Sequence, residues 1–278
     1  MKRVRRLVHH QTEWLGKGSV VAVLDTGVAR HPDLNGRIWK FHDFVNGRLD
    51  MYDDNGHGTH VCGIIAGTRY GVAPESRIIA LKVLDEMGNG QVEYSMRAFR
   101  WIIENREKYN IRIVNISMGM KPNTNEEGER YILAGVETLW NMGLIVIAAA
   151  GNLGPAPGSI TIPGVHKKII TVGCYDKVHS GRGDFGKHMM KPDLVAPGSN
   201  IYSCNAFWSG DERRRYIMKS GTSMSTPIVT GAVANMLSKY VNITNTEAKR
   251  RLVSSCRDMG LPRNWQGNGM LDMKACLK

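Results

Sequence analysis

Short apolar runs recur along the chain and define its predicted framework. The first, residues 19–24, is rich in Val and does not alternate polar with apolar positions. Such a run is typical of a strand buried on both faces of a parallel sheet. Similar runs lie at residues 78–84, 111–116, 144–150 and 169–174. The pattern therefore predicts at least five buried strands.

Helical patterns lie between several of these runs. The clearest covers about residues 91–108, where apolar side chains are spaced to share one face. Later, Thr244 and Glu247 have the spacing of a capping box, which predicts a helix over residues 245–254. Strands that alternate with helices indicate an α/β fold, here a single domain with a central parallel sheet flanked by helices.

The chain shows no repeat, low-complexity tract or Pro/Ser-rich linker that would mark a domain boundary. We predict an N-terminal extension over residues 1–18 and one domain over residues 19–278. The longest apolar run, residues 144–150, is too short to cross a bilayer, which takes about 20 residues. No apolar segment follows the basic start Met1-Lys2-Arg3, so no signal peptide is predicted.

Composition narrows the class of protein. With 42% apolar and 22% charged residues in 278, the chain resembles an ordinary globular protein and neither a disordered nor a fibrous one. The five Cys form no CxxC pair or zinc spacing and predict reduced thiols in a cytoplasmic protein, with secretion as the alternative if a leader has been removed. The net charge of +12 is dispersed and favours a solvated surface over nucleic-acid binding.

Three polar segments carry candidate chemistry, each at the end of an apolar element. They contain Asp25, His57 and Ser223. In a parallel α/β sheet, side chains beyond the carboxyl ends of different strands can converge. A Ser hydroxyl becomes a good nucleophile when an imidazole takes its proton, and a buried carboxylate fixes the tautomer of that imidazole. The three residues therefore suggest nucleophilic catalysis.

A fourth segment adds a hydrogen-bond donor. Asn152 follows the apolar run 144–150 and could donate its side-chain amide to an oxyanion together with the backbone N–H of Ser223. Gly221 and Pro227 flank the serine in a way that suits a nucleophile at the start of a helix, where free N–H groups favour negative charge.

At this point the sequence resembles the subtilisin-like serine peptidases (subtilases), in particular the intracellular bacterial members. The matching segments occur in the order Asp, His, Ser that is typical of this family. They are Val23-Leu24-Asp25-Thr26-Gly27, His31-Pro32-Asp33-Leu34, Gly56-His57-Gly58-Thr59-His60-Val61, Gly71-Val72-Ala73-Pro74, Ala150-Gly151-Asn152, Lys191-Pro192-Asp193-Leu194-Val195-Ala196-Pro197-Gly198 and Gly221-Thr222-Ser223-Met224-Ser225-Thr226-Pro227. Each alone is weak, but seven in order are specific.

The resemblance implies a serine endopeptidase that cleaves proteins or peptides through an acyl-enzyme. It implies that Asp25 orients His57, that His57 is the general base and then the general acid, that Ser223 is the nucleophile and that Asn152 completes the oxyanion hole. It also implies two segments that pair with the substrate backbone as edge strands. These are Gly88, Asn89 and Gly90 on one side and Ser117, Met118 and Gly119 on the other.

Specificity is expected to depend on the pocket for the side chain before the scissile bond. By similarity its walls are residues 117–119 and 150–154, including Leu153 and Gly154, and its base lies near Thr161. Leu153 stands where some relatives carry Glu, and Thr161 where many have Gly. We therefore expect a preference for Leu, Met or Phe over Lys.

The resemblance also bears on metal cofactors and on inhibition by a pro-segment. The chemistry requires no cofactor. Asp33 matches a calcium position of extracellular relatives, but the loop that completes that site is missing before Gly71, so the usual site is predicted to be absent. A weaker cation site of backbone carbonyls near residues 164–166 stays open. Many members carry an inhibitory pro-segment, and only 18 residues precede the first predicted strand.

Structural roles are weighed against catalytic ones for the neighbouring residues. His60 and Cys62 are interpreted as buried structural groups, and Asp53 and Asp54 as part of a solvated loop with a possible effect on cationic substrates. Met224 is expected to be exposed enough for peroxide to oxidise it.

Two rival functions remain at this point. One is a protease-like binding protein without turnover, which usually loses a member of the triad. The other is a nucleic-acid binder, which rests on net charge alone. Labelling of Ser223 by a fluorophosphonate separates the peptidase from both.

Overall fold

A computed structural model describes residues 1–176, 178–184 and 190–278 of the chain. The elements relevant to the site, in chain order, are α1 (Lys2–Leu7), β1 (Val20–Asp25), β2 (Ile38–Asp43), α2 (His57–Ala66), β3 (Arg77–Lys82), α3 (Val92–Asn105), β4 (Ile111–Ile116), α4 (Glu126–Asn141), β5 (Ile145–Ala149), β6 (Ile170–Cys174), β7 (Leu194–Ala196), β8 (Ile201–Cys204), β9 (Tyr216–Lys219), α5 (Thr222–Lys239), α6 (Asn245–Ser254), α7 (Arg263–Gln266) and α8 (Met273–Cys276).

The core of the molecule is a parallel sheet of seven strands in the order β2-β3-β1-β4-β5-β6-β7. After β1 the chain forms the edge strand β2, returns to place β3 between β2 and β1, and then crosses to β4 on the other side of β1. Such a reversal opens a crevice beyond the carboxyl ends of the strands, where α/β proteins place their ligands. Asp25, the last residue of β1, lies at this crevice.

Helices cover both faces of the sheet. Helices α2 and α5 pack on each other and on the sheet, and α3 and α4 form a second packed pair. Because both faces are covered, the central strands are apolar along their whole length, and all six residues of β1 are buried. The predicted α/β architecture is therefore confirmed.

The predicted strands match β1, β3, β4, β5 and β6. The predicted helix over residues 91–108 is α3, which ends at Asn105, and that over residues 245–254 is α6. Only half of the capping box forms. The Thr244 hydroxyl accepts from the backbone N–H of Glu247 at 3.2 Å, whereas the Glu247 carboxylate pairs with Arg250 and Arg251.

The N-terminal segment packs on the same core as the rest of the chain. Val4 of α1 and the following Val8 are buried, and the backbone N–H of Met273 donates to the carbonyl of Val8 at 2.8 Å. Among the residues described above, no helix combines the length and apolar character needed to cross a membrane.

Candidate active site

Asp25 and His57 meet where β1 ends and α2 begins. His57 Nδ1 lies 2.7 Å from Asp25 Oδ1, and the Asp25 side chain is only 1% exposed. The same oxygen accepts from the backbone N–H of Thr26 at 2.8 Å. A buried carboxylate that accepts from Nδ1–H leaves Nε2 as the acceptor, which is the tautomer a general base needs.

The electrostatics of His57 follow from this pairing. Burial disfavours the imidazolium and would lower the pKa of His57, but the charge of Asp25 and the hydrogen bond to it outweigh burial. The pKa of His57 is therefore raised above its ordinary value of 6.5. Asp25 thus stabilises the cation that forms when the imidazole takes a proton.

Asp53 organises the loop that presents His57, a role that the sequence interpretation missed. One of its oxygens accepts from the Thr26 hydroxyl and from the backbone N–H of Gly56, each at 2.8 Å. The other accepts from the backbone N–H and the hydroxyl of Thr59, at 2.8 and 2.6 Å. The expectation of a solvated loop is wrong for Asp53, which is 6% exposed. An Asp placed just before a helix start was the available signal.

Asp54 is exposed, as expected for this loop, but it also has a buried partner. Its carboxylate lies 2.7 Å from the ammonium of Lys82, a side chain with no exposed surface. Asp54 is therefore half of an ion pair, and its effect on cationic substrates stays a prediction.

Ser223 and Asn152 lie together at the start of α5. Asn152 Oδ1 accepts from the backbone N–H of Thr222 at 3.1 Å. This contact orients the side-chain amide and leaves its NH₂ group to donate elsewhere. Gly221 has φ +140°, and a Cβ there would lie 3.2 Å from Asn152 Nδ2, so glycine suits both the backbone and the space. The backbone N–H of Met224 donates to the Gly221 carbonyl. In the described part of the chain, no acceptor takes the N–H of Ser223.

Two neighbouring cavities meet at this edge of the sheet. The larger, about 580 Å³, is lined by His57, by residues 88–92 and by residues 116–120. The smaller, about 210 Å³, is lined by Ser223, Asn152, Leu153 and Thr161, among others. Both include Met118 and Gly119 in their walls, so they form adjoining parts of one cleft.

The structure locates the other predicted site residues as follows. Gly88, Asn89, Gly90 and Ser117 line the larger cavity. Gly154 is not among the described residues that line either cavity, and its backbone N–H donates to the carbonyl of His179 at 3.0 Å.

Thr161 is among the residues that line the smaller cavity. A Cβ on Gly119 would come within 2.2 Å of Thr161 Oγ1, and one on Gly151 within 2.4 Å of its methyl carbon. The Thr161 side chain is therefore wedged between these two glycines. It is 4% exposed, and its hydroxyl has no hydrogen-bond partner among the described residues.

Three further interpretations can be compared with the structure. His60 has no exposed surface, its Nε2 lies 3.0 Å from the carbonyl of Ile201, and burial lowers the pKa of His60 to about 3. Cys62 is also fully buried, and burial raises the pKa of its thiol. Both structural readings are confirmed. The expectation for Met224 is wrong, because its side chain is packed into the core and is 2% exposed.

The residues around Asp33 do not fit a calcium site. One oxygen of this carboxylate accepts from the Thr68 hydroxyl at 2.6 Å and from the backbone N–H of Arg69 at 2.8 Å. Calcium takes six to eight oxygen ligands, whereas an N–H group occupies one of the directions here. Gly67 also packs against the second oxygen, since a Cβ there would lie 2.8 Å away.

A buried carboxylate and an imidazole on one wall of a cleft, with a serine at a helix start on the other, fit the class of serine hydrolases. Comparison with known proteins narrows the class: the chain belongs to the subtilase family, whose profile (Peptidase_S8, Subtilase family) matches residues 16–269. The expected family and the expected class of enzyme, a serine endopeptidase, are thereby confirmed.

Several characterised proteins are similar over most of the chain. Serine protease AprX of Bacillus subtilis is 36% identical over 89% of this chain, which corresponds to 63% of that protein, less than two thirds of its length. Subtilisin Savinase of Lederbergia lenta is 33% identical over 100% of this chain and 97% of its own. A solved cold-adapted subtilisin-like serine proteinase superposes with a TM-score of 0.80 at 28% identity, covering 95% of this chain and 91% of that one.

Proposed function

We propose that this chain hydrolyses peptide bonds of proteins through Asp25, His57 and Ser223. Ser223 attacks the peptide carbonyl while His57 takes its proton, and His57 then protonates the leaving amine. Water, activated by the same imidazole, releases the acyl-enzyme. The observation that carries this proposal is the 2.7 Å contact of His57 Nδ1 with the buried Asp25 carboxylate at the edge of the cleft.

In the proposed mechanism, Asn152 and the backbone N–H of Ser223 stabilise the oxyanion. The orientation of the Asn152 amide by Thr222 supports this role. Donors held in place before the reaction stabilise charge that exists only in the transition state, and therefore raise kcat.

The decisive experiment is labelling with a fluorophosphonate followed by mass spectrometry, beside a casein digest. We expect one adduct on Ser223 and digestion of casein, with neither in Ser223→Ala. If the Ser223→Ala variant digests casein as well as the unmodified protein does, the assignment is refuted. Salt-sensitive DNA binding without labelling would favour the nucleic-acid reading instead, and folded protein with neither property would favour a binding module.

We further propose a preference for medium-sized apolar side chains before the scissile bond. The smaller cavity beside Ser223 supports this because Met118 and Leu153 line it together with the buried Thr161. No carboxylate is among its lining residues in the described part of the chain. A peptide library with one randomised position should select Leu, Met or Phe; strong selection for Lys or Arg contradicts the proposal.

The substrate backbone is proposed to lie between Gly88–Asn89–Gly90 and Ser117–Met118–Gly119. Both segments line the larger cavity, which supports pairing with an extended peptide. Such pairing uses main-chain groups and is largely independent of substrate sequence. We propose protein or peptide substrates, and no role for nucleic acid or membrane.

The remaining proposals concern cofactors, cellular location and domain division. The reaction is proposed to need no cofactor, and the bonding of Asp33 supports independence from calcium at that position. All five cysteines lie in the described part of the chain and are free thiols, which supports the proposed cytoplasmic location. We propose a division into an extension, residues 1–18, and a peptidase domain, residues 19–278, and the start of the family match at residue 16 supports it.

A further inference from the structure

Lys82 is a cation at the centre of the molecule that the proposed mechanism does not use. It is the last residue of β3, has no exposed surface and is aligned with Asp25 of the neighbouring strand. Burying an ammonium is costly unless its three N–H groups find acceptors. Here they do: Nζ lies 2.7 Å from the carbonyl of Thr26, 2.7 Å from Asp54 Oδ1 and 2.8 Å from the carbonyl of Leu84.

These acceptors belong to three separate segments that frame the cleft. Thr26 follows Asp25 and donates its own backbone N–H to Asp25 Oδ1 at 2.8 Å. Asp54 lies in the loop that leads into His57. Leu84 lines the larger cavity, and an antiparallel bridge joins it to Gly90 of the substrate segment.

We propose that Lys82 is a positioning residue that holds these three segments in register for catalysis. This inference rests on the proposed function. Asp25, the His57 loop and the segment at Gly90 come from different parts of the chain, and one ammonium hydrogen-bonds next to each of them. Lys82 acts on Asp25 through Thr26, whose carbonyl it holds while the Thr26 N–H donates to Asp25, and it acts on the His57 loop through Asp54. Lys82 itself does not contact the reacting atoms.

The proposal predicts a specific kinetic signature for Lys82→Met, which keeps much of the length and apolar character of the side chain but removes the ammonium. Turnover should fall about tenfold to a hundredfold, the loss expected when catalytic groups shift by about 1 Å. The kcat should fall on a short ester that contacts only the site next to Ser223. On a long peptide KM should rise as well, because the segment at Gly90 also loses its anchor.

Lys191→Met is the matched control. Lys191 is 3% exposed, and its ammonium donates to the carbonyl of Ile169 and to Asp193, away from the cleft. Both variants remove a buried ammonium and should lower the thermal midpoint. Activity is expressed per active site titrated with a fluorophosphonate, and we expect Lys191→Met to stay within about twofold of the unmodified protein.

Each outcome decides the matter. The proposal is overturned if Lys82→Met has a lower thermal midpoint but unchanged kcat and KM per active site. It is also overturned if Lys191→Met shows an equal kinetic loss. If Lys82→Met does not fold, Asp54→Ala replaces it, because Asp54 is one third exposed. A loss of kcat of about three- to tenfold on the short ester then supports the proposal, and unchanged kcat overturns it. Failure of the unmodified protein to react with the fluorophosphonate rejects the proposed function itself.

Discussion

The two walls of the cleft are built on different principles. On the imidazole wall, His57 is tied to a buried Asp25, and the preceding loop is closed by hydrogen bonds to Asp53. On the serine wall, the side-chain oxygen of Asn152 accepts from the backbone N–H of Thr222, and its NH₂ group stays available to donate. One wall has its polar groups paired before substrate arrives, and the other retains donors for a charge that is still to form. This difference separates proton transfer from oxyanion stabilisation.

The same contrast is visible within the first turn of α2. His57 and His60 are three residues apart, yet the pKa of His57 is raised and that of His60 is lowered to about 3. Burial acts to lower the pKa of both histidines. Only His57 has a carboxylate partner, whereas His60 faces backbone carbonyls. The partner decides which histidine can hold a proton during turnover.

Removing the nucleophile is the strongest way to test the comparison. Ser223→Ala should lower kcat by about a million-fold, the loss known for a subtilisin, because no acyl-enzyme can form. The residual rate would come from the donors that remain on the serine wall. Active-site titration and peptide turnover measure it. The idea fails if the variant keeps more than a small fraction of the activity.

Asp25→Asn tests the imidazole wall with little change in shape. The loss in kcat should be about ten-thousandfold, since an amide can favour the wrong tautomer of His57. The pH profile adds a second readout. His57 must be neutral to act as a base, so activity rises with pH through a pKa that Asp25 holds above 6.5. In Asp25→Asn this acidic limb should move to lower pH, and an unmoved limb would contradict the pairing.

Asn152→Ala tests the serine wall alone. We expect kcat to fall by about a hundred to a thousandfold, as for the equivalent donor in a subtilisin. KM should change little, because the ground-state carbonyl carries little of the charge that Asn152 stabilises. Steady-state kinetics on one peptide separate the two parameters. A rise in KM at constant kcat would make Asn152 a binding residue instead.

Thr161→Gly tests the pocket between the walls. Without the side chain wedged between Gly119 and Gly151, the cavity deepens. Cleavage after Phe or Tyr should then gain about tenfold relative to Leu, the scale on which apolar pockets discriminate. Competing peptides in one digest measure this ratio directly. A ratio that does not move shows that Thr161 does not limit the pocket.

The sequence predicted the central strands because each is a short apolar run with no alternation. It could not predict β2, whose positions are half exposed at the edge of the sheet, or the three-residue β7. The segments with Asp25 and His57 were found because their chemistry is local. Asp53 and Lys82 were missed because their partners come from other elements, and only the packed fold brings those partners within hydrogen-bonding distance.

The smallest expected effect concerns metal removal. One oxygen of Asp33 already accepts from Thr68 and from the backbone N–H of Arg69, and Gly67 packs against the other, so the carboxylate has little room for calcium. Excess EDTA should therefore leave the thermal midpoint within about 2 °C, less than the shift that 1 kcal/mol produces in a domain of 150–250 residues. Asp33→Asn is the positive control, since it weakens both hydrogen bonds and should lower the midpoint. A large fall with EDTA would instead direct attention to the carbonyls of residues 164–166, of which Gly164 already accepts from the Thr171 hydroxyl at 2.6 Å.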